Sequence, residues 1–71
     1  MEKVIMNTAR TENGYSCDCG LLPGWVVAHT GDFEGFKRYV RESVDFYVEG
    51  AREDGRPYPA VFDGEYEIVY K

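Results

Sequence analysis

The chain is poor in the residues that most chemistry needs. It has one histidine, two cysteines and three prolines in 71 residues, and no apolar run approaching the ~18 residues that cross a bilayer. A structural zinc site needs about four soft ligands at set spacings, and His29 is the only such donor besides Cys17 and Cys19. No metal site is expected, and the cysteines read as buried and reduced. Neighbouring same-face positions on a strand are also poorly placed for a mutual disulfide. Histidine-based catalysis would fall on His29 alone, with no serine or cysteine nucleophile placeable beside it, so a partly exposed sheet histidine is the expectation. Bases are scarce too: eight Lys and Arg against thirteen Asp and Glu give a net charge of −5. Phosphate contacts need clustered cations, so direct nucleic-acid binding is not expected. The N-terminus Met1–Met6 is too short and mixed for a signal peptide, and unpaired cysteines then point to a reducing cytoplasm.

What is abundant is aromatic surface. Six tyrosines, four phenylalanines and a tryptophan are many for one short domain. A domain of this size buries only about 60% of its unfolded surface. Aromatics both fill cores and dominate interfaces, so an oligomer or an obligate partner is expected, a dimer being the simplest. The acid is unevenly spread. Residues 32–71 carry ten acids against six bases, and residues 1–31 three against two. An acidic half favours a basic protein partner through steering, although it also serves solubility.

Along the chain, residues 3–9 read as a strand rich in β-branched side chains. Asn13-Gly14 suits the positive-φ positions of a tight hairpin turn, so Tyr15–Cys19 should return antiparallel, with Tyr15, Cys17 and Cys19 on one face. Gly20-Leu-Leu-Pro-Gly24 breaks this strand and Trp25–Thr30 resumes as a third. Asp32 is a good helix N-cap. Phe33, Phe36, Val40, Val44, Tyr47, Val48 and Ala51 then recur at helical spacing as one apolar stripe, with Glu34, Arg38, Arg41, Glu42, Asp45 and Glu49 opposite. Glu34–Arg38 and Arg41–Asp45 are spaced for i,i+4 ion pairs. Gly55 stops the helix, and Pro57 and Pro59 prevent its continuation. Gly35 in the first turn costs roughly 1 kcal/mol against alanine, so that turn is expected to fray. Residues 65–70 alternate as a last strand. The expected architecture is α+β in the order β-β-β-α-β: one domain over residues 1–71, a mainly antiparallel sheet with one helix on one face. The final strand runs into the last residue, which leads us to expect that the chain ends at a domain boundary of a longer protein.

The succession Asn13-Gly14-Tyr15, Leu22-Pro23-Gly24-Trp25-Val26, and a capped helix ending Glu42-Ser-Val-Asp-Phe-Tyr-Val-Glu49 resembles the N-terminal domain of HicB-type antitoxins. Glu53-Asp-Gly-Arg-Pro-Tyr-Pro59 resembles the family's post-helix segment. The likeness runs over nearly the whole chain, with Asp32 where the family usually caps with Thr or Ser, and Gly35-Phe36 replacing an acidic first turn. It implies a partial, degenerate RNase-H-like sheet without nuclease activity. It also implies that the domain masks a small basic HicA-like ribonuclease toxin, and that DNA is met only through a C-terminal domain absent from this chain. Two-metal chemistry has no anchor here in any case: Asn7 sits mid-strand where a carboxylate would be needed, and the helix acids face outward. No catalytic residue and no cofactor are expected.

The candidate partner-binding residues are Trp25, Glu34, Tyr39, Glu42, Asp45, Phe46 and Glu49. Tyr39 and Phe46, seven residues apart on the flank of the apolar stripe, either finish the core edge or lie exposed for a partner. Trp25 is a core anchor or an interface hot spot. The alternative function is homo-oligomerisation that pairs appended DNA-binding domains.

Overall fold

A computed structural model describes all 71 residues. The elements are β1 (Glu2–Arg10), β2 (Gly14–Asp18), β3 (Val26–Thr30), α1 (Phe33–Asp54), a 3-10 turn (Ala60–Asp63) and β4 (Tyr66–Tyr70). The α+β class and the β-β-β-α-β order are those expected. The sheet order is β3-β2-β1-β4. β1 and β2 pair antiparallel, as do β2 and β3, in a simple meander. β4 pairs with β1 in parallel, Val4 opposite Ile68. The parallel pair follows from the connection: a 22-residue helix is roughly 33 Å long and carries the chain back to the end of the sheet where β1 began.

Alternation along β1 buries Val4 and Met6 completely and turns Lys3, Ile5 and Asn7 outward. On β2 it buries Cys17, with Tyr15 packed at the core margin. The helix answers with Phe36, Val40, Val44 and Ala51, all at 0% exposure. The segment between β2 and β3 is more than a breaker. Leu22 is fully buried, held by backbone bonds from its amide to Cys19 and from Trp25 to its own carbonyl. The 3-10 turn, which the sequence did not announce, brings Phe62 into the same core.

Three local features differ from those expected. The Asn13-Gly14 turn is not a positive-φ turn: the left-handed residues are Gly24, Gly31 and Gly55. Gly14 instead opens β2 against the carbonyl of His29, where a Cβ would stand 2.0 Å from the oxygen. The first turn of α1 is held, not loose. Asp32 accepts from the Gly35 amide at 2.8 Å, and a Cβ on residue 35 would sit 2.9 Å from that carboxylate, so the glycine makes room for its own cap. Glu34 pairs with Lys37 at 3.1 Å rather than with Arg38. Arg41–Asp45 is found as expected, at 3.7 Å. At the far end, Gly55 at φ 69° caps the helix in the left-handed conformation.

Candidate functional site

The helix crosses one face of the sheet and leaves a groove between its flank and edge strand β3. Trp25 and Val27 form the floor. Glu42, Ser43, Phe46, Tyr47 and Gly50 form the helical wall, and Arg56 closes one end, around a cavity of about 560 Å³. Local sequence explains each placement. Trp25, immediately before β3, and Val27 within it share the helix-facing side by alternation. Glu42, Phe46 and Gly50 follow one another at i,i+4 up the flank. Arg56 returns over the helix because Gly55 reverses the backbone, and its guanidinium lies 5.9 Å from the Tyr47 ring centre. The Tyr47 hydroxyl donates to the Pro23 carbonyl at 3.4 Å and ties the Leu22–Gly24 turn to the helix. This wall is therefore fixed on both sides.

The candidate residues divide between two flanks of α1. Trp25 is 8% exposed, a core anchor whose remaining surface floors the groove. Phe46 is 80% exposed and Tyr39 39%, so the two flanking aromatics part company. Tyr39 stacks on His29 at 5.2 Å and 28° and is not part of the groove lining, while Phe46 lines the groove with no ring against it. Glu42 lies one turn from Phe46 on the groove wall, while Glu49 is exposed on the helix crest outside the groove. Glu34 and Asp45 are not part of the groove either. Glu34 is engaged by Lys37. Asp45 is engaged by Arg41, whose guanidinium lies 4.5 Å over the ring of Tyr66, on the β4 side. The acidic face read from the sequence is thus two surfaces. Val27, Ser43, Tyr47, Gly50 and Arg56 also line the groove and are not among the candidates. The strand and helix periods carry the placement of the first four, and that of Arg56 depends on the reversal at Gly55.

Other polar clusters are structural. Asp63 accepts from Tyr58 and from Arg52, both at 2.8 Å, pinning the post-helix segment to the C-terminal turn of α1. The Tyr58 hydroxyl, then Arg52, hold the Asp63 carboxyl below its usual range. No three His, Cys, Asp or Glu side chains converge as a metal-ligand group would. Cys17 and Cys19 are free and buried. Burial first, then the charges of Asp18 and Cys19, push the Cys17 thiol up from 9.0 to about 11. A thiol less acidic in the folded state stabilises fully below pH 9.0, and that contribution is lost as pH rises toward about 11. The urea midpoint should therefore fall across that alkaline window in the parent chain and fall less in Cys17→Ala. An aromatic disulfide reagent should label Cys17 in native protein far more slowly than in urea.

No helix is long and apolar enough to cross a membrane. Against known proteins, no family model, curated protein or solved structure matches the chain.

Proposed function

We propose that the chain is a protein-binding domain of the antitoxin kind, which binds and occludes a basic, HicA-like ribonuclease toxin in the cytoplasm and performs no chemistry itself. The observation that carries this reading is Phe46. A phenylalanine 80% exposed at the lip of an open, Trp25-floored groove, with Glu42 on the same wall, is an anchor without its counterpart. Glu42 beside that ring, on a chain of net charge −5, suits a basic surface. The resemblance to HicB-type antitoxins supplies the identity of that partner.

Co-expression with the small basic protein encoded in the adjoining reading frame tests the proposal. Growth should be rescued, and a complex should survive gel filtration at low salt. Phe46→Ala should weaken the complex by at least about tenfold, the ~1.4 kcal/mol or more that an interface anchor contributes. If growth is not rescued and no complex forms, the antitoxin reading falls.

A second reading, homo-oligomerisation, draws on a different surface. The outer face of the sheet has no helix over it, and Ile5, Leu21 and Val26 are exposed there at 40%, 42% and 69%. A tight dimer with no affinity for the neighbouring protein would favour that reading.

A further inference from the structure

β3 is an edge strand, hydrogen-bonded to β2 on one side only. Edge strands are normally guarded against pairing by lysine, proline, bulges or very short length. In a chain that is 30% charged, β3 reads Val-Val-Ala-His-Thr, with no charged residue and no proline. The other edge, β4, carries Glu67 and is flanked by Glu65 and Lys71. One edge is guarded and the other is bare.

The bare edge is also incompletely covered on both of its faces, although Val27 packs on the core and His29 stacks on Tyr39. On the helix side lie the groove and exposed Phe46. On the outer side Val26 is 69% exposed. Side chains of a strand alternate between faces about 3.3 Å apart along the chain. A single added strand would therefore set one residue into the groove and the next against Val26.

We propose that the β3 edge and the groove above it form one docking site, occupied by an extended segment of a basic partner that adds as a fifth strand. The inference rests on the protein-binding reading and specifies how binding occurs. The added segment places a bulky apolar side chain against Trp25 and Phe46, and a lysine or arginine two residues along reaches Glu42. Charge selects this occupant over a second copy of the chain. Edge-to-edge pairing of two copies would bring together two flanks that each carry Glu42, on molecules of net charge −5.

The test uses the full chain and a synthetic nine-residue peptide, Leu-Thr-Lys-Thr-Leu-Thr-Lys-Thr-Leu, whose leucines and lysines fall on one face of a strand, with the same peptide carrying glutamate in place of lysine as control. Amide hydrogen exchange over Val26–Thr30 should slow by about tenfold or more with the basic peptide, and the Trp25 indole resonance should shift. Salt should weaken the effect. Phe46→Ala, which removes the ring without adding charge, should weaken it by about tenfold or more, while Val69→Lys on β4 should leave it unchanged. The proposal is overturned if the acidic peptide protects equally, if β4 is protected instead of β3, or if no peptide binds at millimolar concentration. It is also overturned if protection grows with chain concentration alone, the mark of a second copy. The two proposals fail separately. A toxin complex that leaves β3 exchanging freely removes the strand-addition site and keeps the antitoxin reading. A failed growth rescue removes that reading and leaves the peptide result standing.

Discussion

Phe36→Ala is expected to cost about 3–5 kcal/mol, a large part of the folding stability. Phe36 is fully buried and is the residue through which three elements meet. Its ring lies 5.4 Å from Tyr15 on β2, 5.9 Å from Tyr70 on β4 and 6.0 Å from Phe33 one turn back on α1. Truncating a buried phenylalanine costs about 3–5 kcal/mol, because the lost transfer energy is joined by a cavity that rigid neighbours do not fill. A 71-residue domain has about 4–11 kcal/mol in total, at ~0.05–0.15 kcal/mol per residue. The substitution therefore removes between a third and all of the stability. Phe36→Leu keeps most of the apolar volume and should cost about 1–1.5 kcal/mol. Phe46→Ala, at an 80% exposed site, should stay within about 0.5 kcal/mol. Urea denaturation followed by tyrosine and tryptophan fluorescence ranks the three. A Phe36→Ala midpoint close to that of Phe46→Ala would show that Phe36 is not the centre of the core.

That contrast between Phe36 and Phe46 also shows where sequence reasoning reaches its limit. Both lie on one helix whose ends are written locally, in the Asp32 carboxylate and the Gly55 backbone, and both ends are where the sequence places them. The apolar stripe is equally legible, because burial of Phe36, Val40, Val44 and Ala51 depends only on helical period. The state of Phe46 depends on something else: how far the sheet extends beneath the helix flank. The sheet ends at β3, so no fifth strand covers that ring. The split of the acidic face has the same origin, since Asp45 looks toward β4 and Glu42 toward the β3 edge. Pairing of β4 with β1 is likewise a matter of sheet order, which no local pattern encodes. Glu34 choosing Lys37 over Arg38 is a smaller matter, because exposed helix pairs differ by only a few tenths of a kcal/mol.

Gly14→Ala should be the most damaging of the glycine substitutions, for a reason that Asn13-Gly14 does not advertise. Gly14 has no positive φ, so conformational strain is not the issue. The added Cβ would meet the His29 carbonyl oxygen at 2.0 Å, the Thr30 Cα at 2.9 Å and the His29 carbonyl carbon at 3.0 Å. These are backbone atoms of the neighbouring strand, which no side-chain rotation relieves. The strands must part by about 1 Å to restore ordinary van der Waals separation. Separation there strains the Gly31 amide bond to Asn13 at 3.0 Å and the Thr11 amide bond to Gly14 at 2.9 Å. It also displaces Tyr15, the next residue, which pairs with His29 and packs its ring 5.4 Å from Phe36. Overpacking of about 1–3 kcal/mol, together with weakened backbone bonds of about 1 kcal/mol each, gives an expected loss of ~3 kcal/mol. Gly55→Ala, forced into the left-handed region at φ 69°, should cost about 1 kcal/mol. Gly64→Ala has nothing within 4 Å of its new Cβ and an extended φ of −115°, so it should be neutral or stabilise by up to about 1 kcal/mol. The order of urea midpoints, Gly64→Ala above Gly55→Ala above Gly14→Ala, is the measurement. A Gly14→Ala chain as stable as Gly64→Ala would mean that β2 and β3 do not approach as closely at this end as their register requires.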